Sequence, residues 1–186
     1  MDLNRMRVFW HRDTFEDALH DLVVSGYDVV EEHPITEVPS SVLEYGCGTG
    51  RMTRALVKDG FTVHAVDVSP SMIEYVKEYV PECSAYLCDG ISVPLPSQLV
   101  DYAVCYYVLQ HQQDVGTMYS IVGDIHRCLK DGGILYSQGL IHGRIADGGF
   151  VGHAMTFQDY TDLHDCFFRV TQAHRYGDLV FIKAIK

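Results

Sequence analysis

The chain lacks any apolar run approaching the ~18 residues of a membrane span, and its start has no basic-then-apolar leader. These absences predict a soluble, cytoplasmic protein with no membrane association. Its six cysteines, Cys47, Cys83, Cys88, Cys105, Cys128 and Cys166, form no CxxC pair and no CxxC…His spacing. No metal site and no thioredoxin-like motif is signalled, and reduced thiols in a reducing compartment are expected. Positive charge is scarce: 14 Lys and Arg stand against 25 Asp and Glu, for a formal net charge of -11. That balance repels phosphate backbones and makes nucleic acid an unfavoured partner. There is also no internal repeat, low-complexity tract or Pro/Gly/Ser linker, so residues 1–186 are expected to form one domain.

From Ser41 onward, short Val-, Ile- and Tyr-rich runs alternate with amphipathic stretches, the pattern of a doubly wound α/β sheet. Strands are expected at Ser41–Tyr45, Thr62–Val66, Ala85–Cys88, Tyr102–Tyr106 and Gly133–Ser137. Helices are expected at Arg51–Lys58, Ser71–Tyr79 and Gly116–Leu129, the last stopped by Lys130-Asp131-Gly132-Gly133. Thr156–Cys166 reads as a further helix. Phe168–Arg175 and Leu179–Ile185 flank Tyr176-Gly177-Asp178 closely enough to require an antiparallel hairpin. Residues 1–40 are expected to form a helical cover: Asp13-Thr14 with Glu16 resembles a helix start, and Phe15, Leu19 and Leu22 recur at helical spacing.

Chemistry concentrates after the first strand. Glu44-Tyr45-Gly46-Cys47-Gly48-Thr49-Gly50 places glycines at alternate positions between a buried strand and a helix, where a ligand can approach bare backbone. A dinucleotide fingerprint would read GxGxxG and seat a pyrophosphate on the helix; here the third glycine comes one residue early, which favours a ligand without phosphates. The second strand ends at Asp67, about 20 residues beyond the loop, where a carboxylate can accept hydrogen bonds from both hydroxyls of a ribose. The competing role for Asp67, capping the next helix, fits Ser69 and Ser71 better.

The segment Glu44-x-Gly46-x-Gly48-x-Gly50 resembles the first motif of class I, Rossmann-like S-adenosylmethionine-dependent methyltransferases. Ala65–Met72, Cys88-Asp89-Gly90, Asp101–His111 and Leu129–Leu135 are similar to the segments that follow it in that family, in the same order. Asp131 stands where the family's fifth-strand turn usually has proline. The resemblance implies a seven-stranded, mostly parallel sheet with a C-terminal antiparallel hairpin, and S-adenosylmethionine as cofactor, leaving S-adenosylhomocysteine as product. It further implies cofactor contacts from Glu44, Gly46, Cys47, Gly48, Gly50, Asp67, Val68, Met72, Asp89, Gly90 and Tyr106, with Asp89 receiving the adenine amino group. A plain Asp-Gly turn is the other reading of Asp89.

Methyl transfer from a sulfonium needs alignment and dehydration more than acid catalysis, but a hydroxyl or ammonium acceptor gains from a base near neutral pKa. His111 follows the fourth strand and is the catalytic candidate; His142 and His153 lie in the loop after the fifth. Each has an ordinary structural reading as well. Tyr106 and Tyr107 should point to opposite sides, and one could stack beside the sulfonium. Leu140–Ala154 has four glycines and suits a lid, while Phe9, Trp10 and His11 could line the acceptor site or simply pack. A small-molecule acceptor is the first expectation. A protein or RNA methyltransferase, or a non-catalytic cofactor-binding or partner-activating subunit, is the alternative.

Overall fold

The computed structural model describes Ile35, Glu37 and residues 40–141 and 152–186. The expected N-terminal cover, with Phe9, Trp10 and His11, lies outside these residues, as do His142 and most of the glycine-rich segment. Seven strands form one sheet: β1 Ser41–Tyr45, β2 Thr62–Asp67, β3 Ser84–Leu87, β4 Val100–Tyr106, β5 Leu129–Leu140, β6 Arg169–Tyr176 and β7 Leu179–Ile185. Among the described residues four helices accompany it: α1 Arg51–Lys58, α2 Pro70–Tyr79, α3 Val115–Cys128 and α4 Phe157–Asp165.

The strand order is β3-β2-β1-β4-β5-β7-β6. Strands β1 to β5 run parallel to their neighbours, whereas β7 is antiparallel to both β5 and β6. After β3 the chain crosses back to the other side of β1, so the order reverses between β1 and β4. In open α/β sheets that switch point, at the carboxyl ends of the strands, is where ligands bind.

Side-chain alternation along the strands divides the core. Leu43, Ala103, Leu135 and Ile182 meet α3 and α4 through Met118, Ile121, Ile125, Tyr160 and Leu163, all fully or almost fully buried. Val42, Val63 and Val104 point the other way, onto Met52 and Leu56 of α1. Helix α2 presents Ile73 and Val76 to Ala65 on that second side. The helix starts are built as the residue types demand: Ser69, Asp114 and Thr156 cap α2, α3 and α4, the last through a reciprocal capping box with Asp159.

Two expectations need correction. The third helix ends at Cys128, and Leu129 opens β5 by pairing with Val100; the expected turn becomes an irregularity inside a longer strand, with Tyr102 next opposite Ile134. Gly132 there is left-handed at φ 79°, which explains why the four residues read as a turn. The hairpin is as expected, closed by Gly177 at φ 61° and Asp178 between the paired Tyr176 and Leu179. No helix among the described residues is long and apolar enough to cross a membrane.

Candidate functional site

The backbone after β1 is held in an open loop by β2. The amides of Gly46 and Cys47 both donate to the Val66 carbonyl, at 2.7 and 3.0 Å, which pins the loop to the carboxyl end of the second strand. Gly46 and Gly48 are left-handed, at φ 80° and 51°. They are glycine for different reasons. At Gly46 a Cβ would strike the Val108 side chain arriving from beyond β4, whereas at Gly48 it would meet nothing within 4 Å. Gly48 therefore borders open space, and Gly46 is where the loop touches the segment after β4. Gly50, also left-handed at φ 73°, starts α1 without a side-chain cap.

Asp67 ends β2 on this space. One carboxylate oxygen accepts the Gly48 amide at 2.8 Å and the other accepts the Ser69 amide at 2.9 Å. The helix cap proper is Ser69, whose hydroxyl accepts from the Met72 amide at 3.4 Å. Asp67 thus braces the loop and the start of α2 together. Val68 beside it packs under Gly90, where an added Cβ would lie 3.2 Å from Val68 Cγ1. Met72 is buried in the first turn of α2.

Glu44 is the oddity of β1, a carboxylate 6% exposed in the central strand. The Thr53 hydroxyl of α1 donates to it at 2.5 Å. Burial pushes its carboxyl up to about 8, against that hydrogen bond, and the nearby Asp67 carboxylate adds to the rise. The Cys47 thiol is also pushed up by burial, so it is no nucleophile.

Asp89 is used locally. Its carboxylate accepts the amides of Ile91 and Ser92 at 2.8 and 2.7 Å and the Ser92 hydroxyl at 3.1 Å. This is the turn geometry weighed against an adenine contact. The residues following it are clamped: the Arg127 guanidinium donates to the carbonyls of Val93 and Leu95, and Asp124 accepts the Val93 amide.

Beyond β4 the chain bends sharply. Tyr106 ends the strand half-buried, its phenol pushed up by burial and by nearby Tyr136. Tyr107 adopts φ 59°, an uncommon conformation for a bulky residue, and its amide donates to the Gln138 carbonyl at 2.8 Å. A 3-10 turn at Leu109–His111 follows, with His111 half-buried and its amide on the Val108 carbonyl at 3.0 Å. Gln110 accepts the Leu140 amide at 3.0 Å through its side chain. The exposed His153 comes back to this loop, donating its amide to the Gln112 carbonyl at 2.6 Å.

The structure brings Glu44, the three loop glycines, Cys47, Asp67, Val68, Met72 and Gly90 together around the ends of β1 and β2, and ties them to the β4 loop through Val108. Residues 43–137 match the protein family described as the methyltransferase domain. The chain belongs to this family. It is 29% identical over 126 residues to an uncharacterized methyltransferase of Anoxybacillus flavithermus, covering 68% of this chain and 57% of that protein. The chain thus spans only about half the length of the curated relatives it matches. Its fold is that of a TehB-like S-adenosylmethionine-dependent methyltransferase from Corynebacterium glutamicum, with TM-score 0.73, 18% identity and coverage of 92% and 95% of the two chains. It is also that of the methyltransferase in a complex with the Trm112 activator from Haloferax volcanii, with TM-score 0.74, 15% identity and coverage of 94% and 96%.

The family's cofactor is S-adenosylmethionine, and the site suits it. The space over Gly48 is open, Asp67 stands at its edge with each carboxylate oxygen on a backbone amide, and Glu44 is a carboxyl buried in the adjoining strand. Reading the sequence alone missed Tyr45, whose buried hydroxyl lies near the Cys88 thiol and both Asp67 and Asp89, without a hydrogen-bond partner of ordinary length among the described residues. It also missed Tyr107, since nothing in a Tyr-Tyr pair announces a positive φ. It missed the glutamines of the β4 loop as well, although a run of amides directly after an apolar strand was a usable signal.

Proposed function

We propose that the chain transfers a methyl group from S-adenosylmethionine to a small-molecule acceptor, with residues 1–186 working as one domain. The observation that carries this reading is the open space bordered by Gly48 and the Asp67 carboxylate at the point where the strand order reverses. When bound, the cofactor supplies an activated methyl group. Asp67 accepts the ribose hydroxyls, and Gly46, Gly48 and Gly50 let the ligand lie against backbone. Cys47, Val68, Met72 and Gly90 wall the adenosyl group, and Asp89 stands at the adenine edge by way of the turn it caps. Glu44, buried at the end of β1, would face the ligand's positive charge. Tyr106 lines the sulfonium side.

The Val108 contact holds the β4 loop in register with the cofactor loop, which supports a place for His111 beside the acceptor. As a base His111 takes the acceptor's proton, a role that typically contributes about 10²–10⁴-fold in rate. The net charge of -11 supports a small acceptor over a polyanion.

Calorimetric titration with S-adenosylmethionine, S-adenosylhomocysteine and NAD tests the reading. Both adenosyl compounds should bind and NAD should not; binding of NAD alone would refute it. With an acceptor in hand, His111→Ala should lower the rate by the stated factor and remove its rise with pH, leaving cofactor affinity unchanged. A variant of full activity and unaltered pH profile removes His111 from the chemistry. A second reading, a subunit that needs a partner for turnover, draws on the likeness to the activator-bound methyltransferase. Turnover by the isolated chain decides between them.

A further inference from the structure

Resting on the methyltransferase reading, we propose that the loop after β4 recognises an uncharged acceptor with two neighbouring oxygens, at least one of them a hydroxyl, through the side-chain amides of Gln110 and Gln112. Three buried polar atoms of this loop have no hydrogen-bond partner among the described residues: Gln110 Nε2, Gln112 Oε1 and Gln113 Nε2. The other such atoms, on Tyr45, His64 and His164, are single and scattered. Buried polar groups are nearly always satisfied, so three orphans within four residues call for a reason in function.

The orientation of two of the amides is fixed by what their other ends do. Gln110 Oε1 accepts the Leu140 amide at 3.0 Å; turned over, the side chain would set its NH2 against that N–H. Gln112 Nε2 donates to the Val108 carbonyl at 3.3 Å; turned over, it would oppose two oxygens. The unpaired groups are therefore a donor at Gln110 and an acceptor at Gln112. Neither side chain can swing out to water, since the residues are 7% and 4% exposed.

A hydroxyl both donates and accepts, so it answers the Gln112 oxygen while it or a neighbouring oxygen answers the Gln110 amide. Anionic acceptors fit less well. Residues 106–114 contain no Lys or Arg, the side chains that normally pair with carboxylate or phosphate, and the chain is acidic overall. The location agrees, because Val108 ties this loop to Gly46 beside the cofactor space.

The test uses the full chain saturated with S-adenosylhomocysteine and titrated calorimetrically with catechol, a neutral pair of adjacent hydroxyls, or with benzoate, an anion of similar size. Catechol should bind at least about 10-fold more tightly than benzoate, as expected when a hydrogen-bonded charge-free fit replaces an unpaired buried charge. Gln110→Glu keeps an oxygen for the Leu140 amide, removes the free donor and adds a buried carboxyl, so its melting temperature is measured alongside. Gln112→Met removes the free acceptor and, with it, the donor to the Val108 carbonyl. Each should weaken catechol by about 5-fold or more while S-adenosylhomocysteine affinity stays within about twofold. The proposal is overturned by absent catechol binding, by benzoate binding as tightly, or by both variants matching the parent. If S-adenosylhomocysteine itself fails to bind, the cofactor reading falls, and the catechol titration of the free protein still decides the loop.

Discussion

The two halves of the sheet's carboxyl edge differ in how they treat polar groups. Around β1 and β2 most loop groups are occupied internally, the Tyr45 hydroxyl excepted: Asp67 takes two amides, Glu44 takes the Thr53 hydroxyl, and Val66 receives both loop N–H groups. After β4 the chain is bent through a left-handed Tyr107 and leaves amides buried and unpaired. The first half is a finished cradle that needs only its ligand's shape. The second stores unsatisfied hydrogen bonds and backbone strain, features that cluster where a ligand completes the structure.

The sharpest way to break the contrast is at the joint. Gly46→Val should destabilise the protein by about 2–5 kcal/mol, from a β-branched residue forced left-handed and a clash with Val108. Urea unfolding measures this. Gly48→Val has no clash to suffer, so its strain should be nearer 1–2 kcal/mol, but adenosyl-compound affinity should drop by about 100-fold or more because its side chain takes the open space. Retained affinity in that variant would place the ligand elsewhere.

Asp67→Ala comes next, weakening cofactor binding by about 1.5–3 kcal/mol through loss of charged hydrogen bonds. It should also loosen the loop, since Gly48 and Ser69 lose their acceptor, visible as faster amide exchange at Gly48. Unchanged affinity would reduce Asp67 to a structural brace.

The pH effects oppose each other in the two halves. Burial raises the Glu44 carboxyl to about 8 in the folded protein, against about 4.3 unfolded. Its contribution to stability is full below the lower value and is lost as pH rises through the upper. Glu44→Gln should flatten that decline in a series of melting curves. On the β4 side, His164 of α4 is fully buried and its imidazole is pushed down to about 4, opposed only in part by the Tyr160 carbonyl. Its unfolded value is about 6.5, so its contribution is lost as pH falls from there toward 4. Replacing His164 with Gln should flatten the acid limb and leave the alkaline one alone.

The residues themselves determined a good deal. Alternating Val, Ile and Leu runs fixed β1 to the residue, Arg51–Lys58 was legible from its boundaries, and Gly177-Asp178 announced the hairpin, because each of these is governed by local backbone preference and period. The alternate glycines and Asp67 were legible as a loop and its brace for the same reason: their constraint is local, a backbone that must be bare and a carboxylate at a strand end. What only the tertiary structure decided is everything that depends on distant segments meeting. Leu129 became a strand because Val100 offered it a partner, and Asp89 proved to cap its own turn. Gly46 is forced by a side chain from beyond β4, and the glutamines matter only because burial left their amides without partners. Local rules set elements and motifs. Burial and long-range contact, which no window of sequence contains, set which polar groups are left for a substrate.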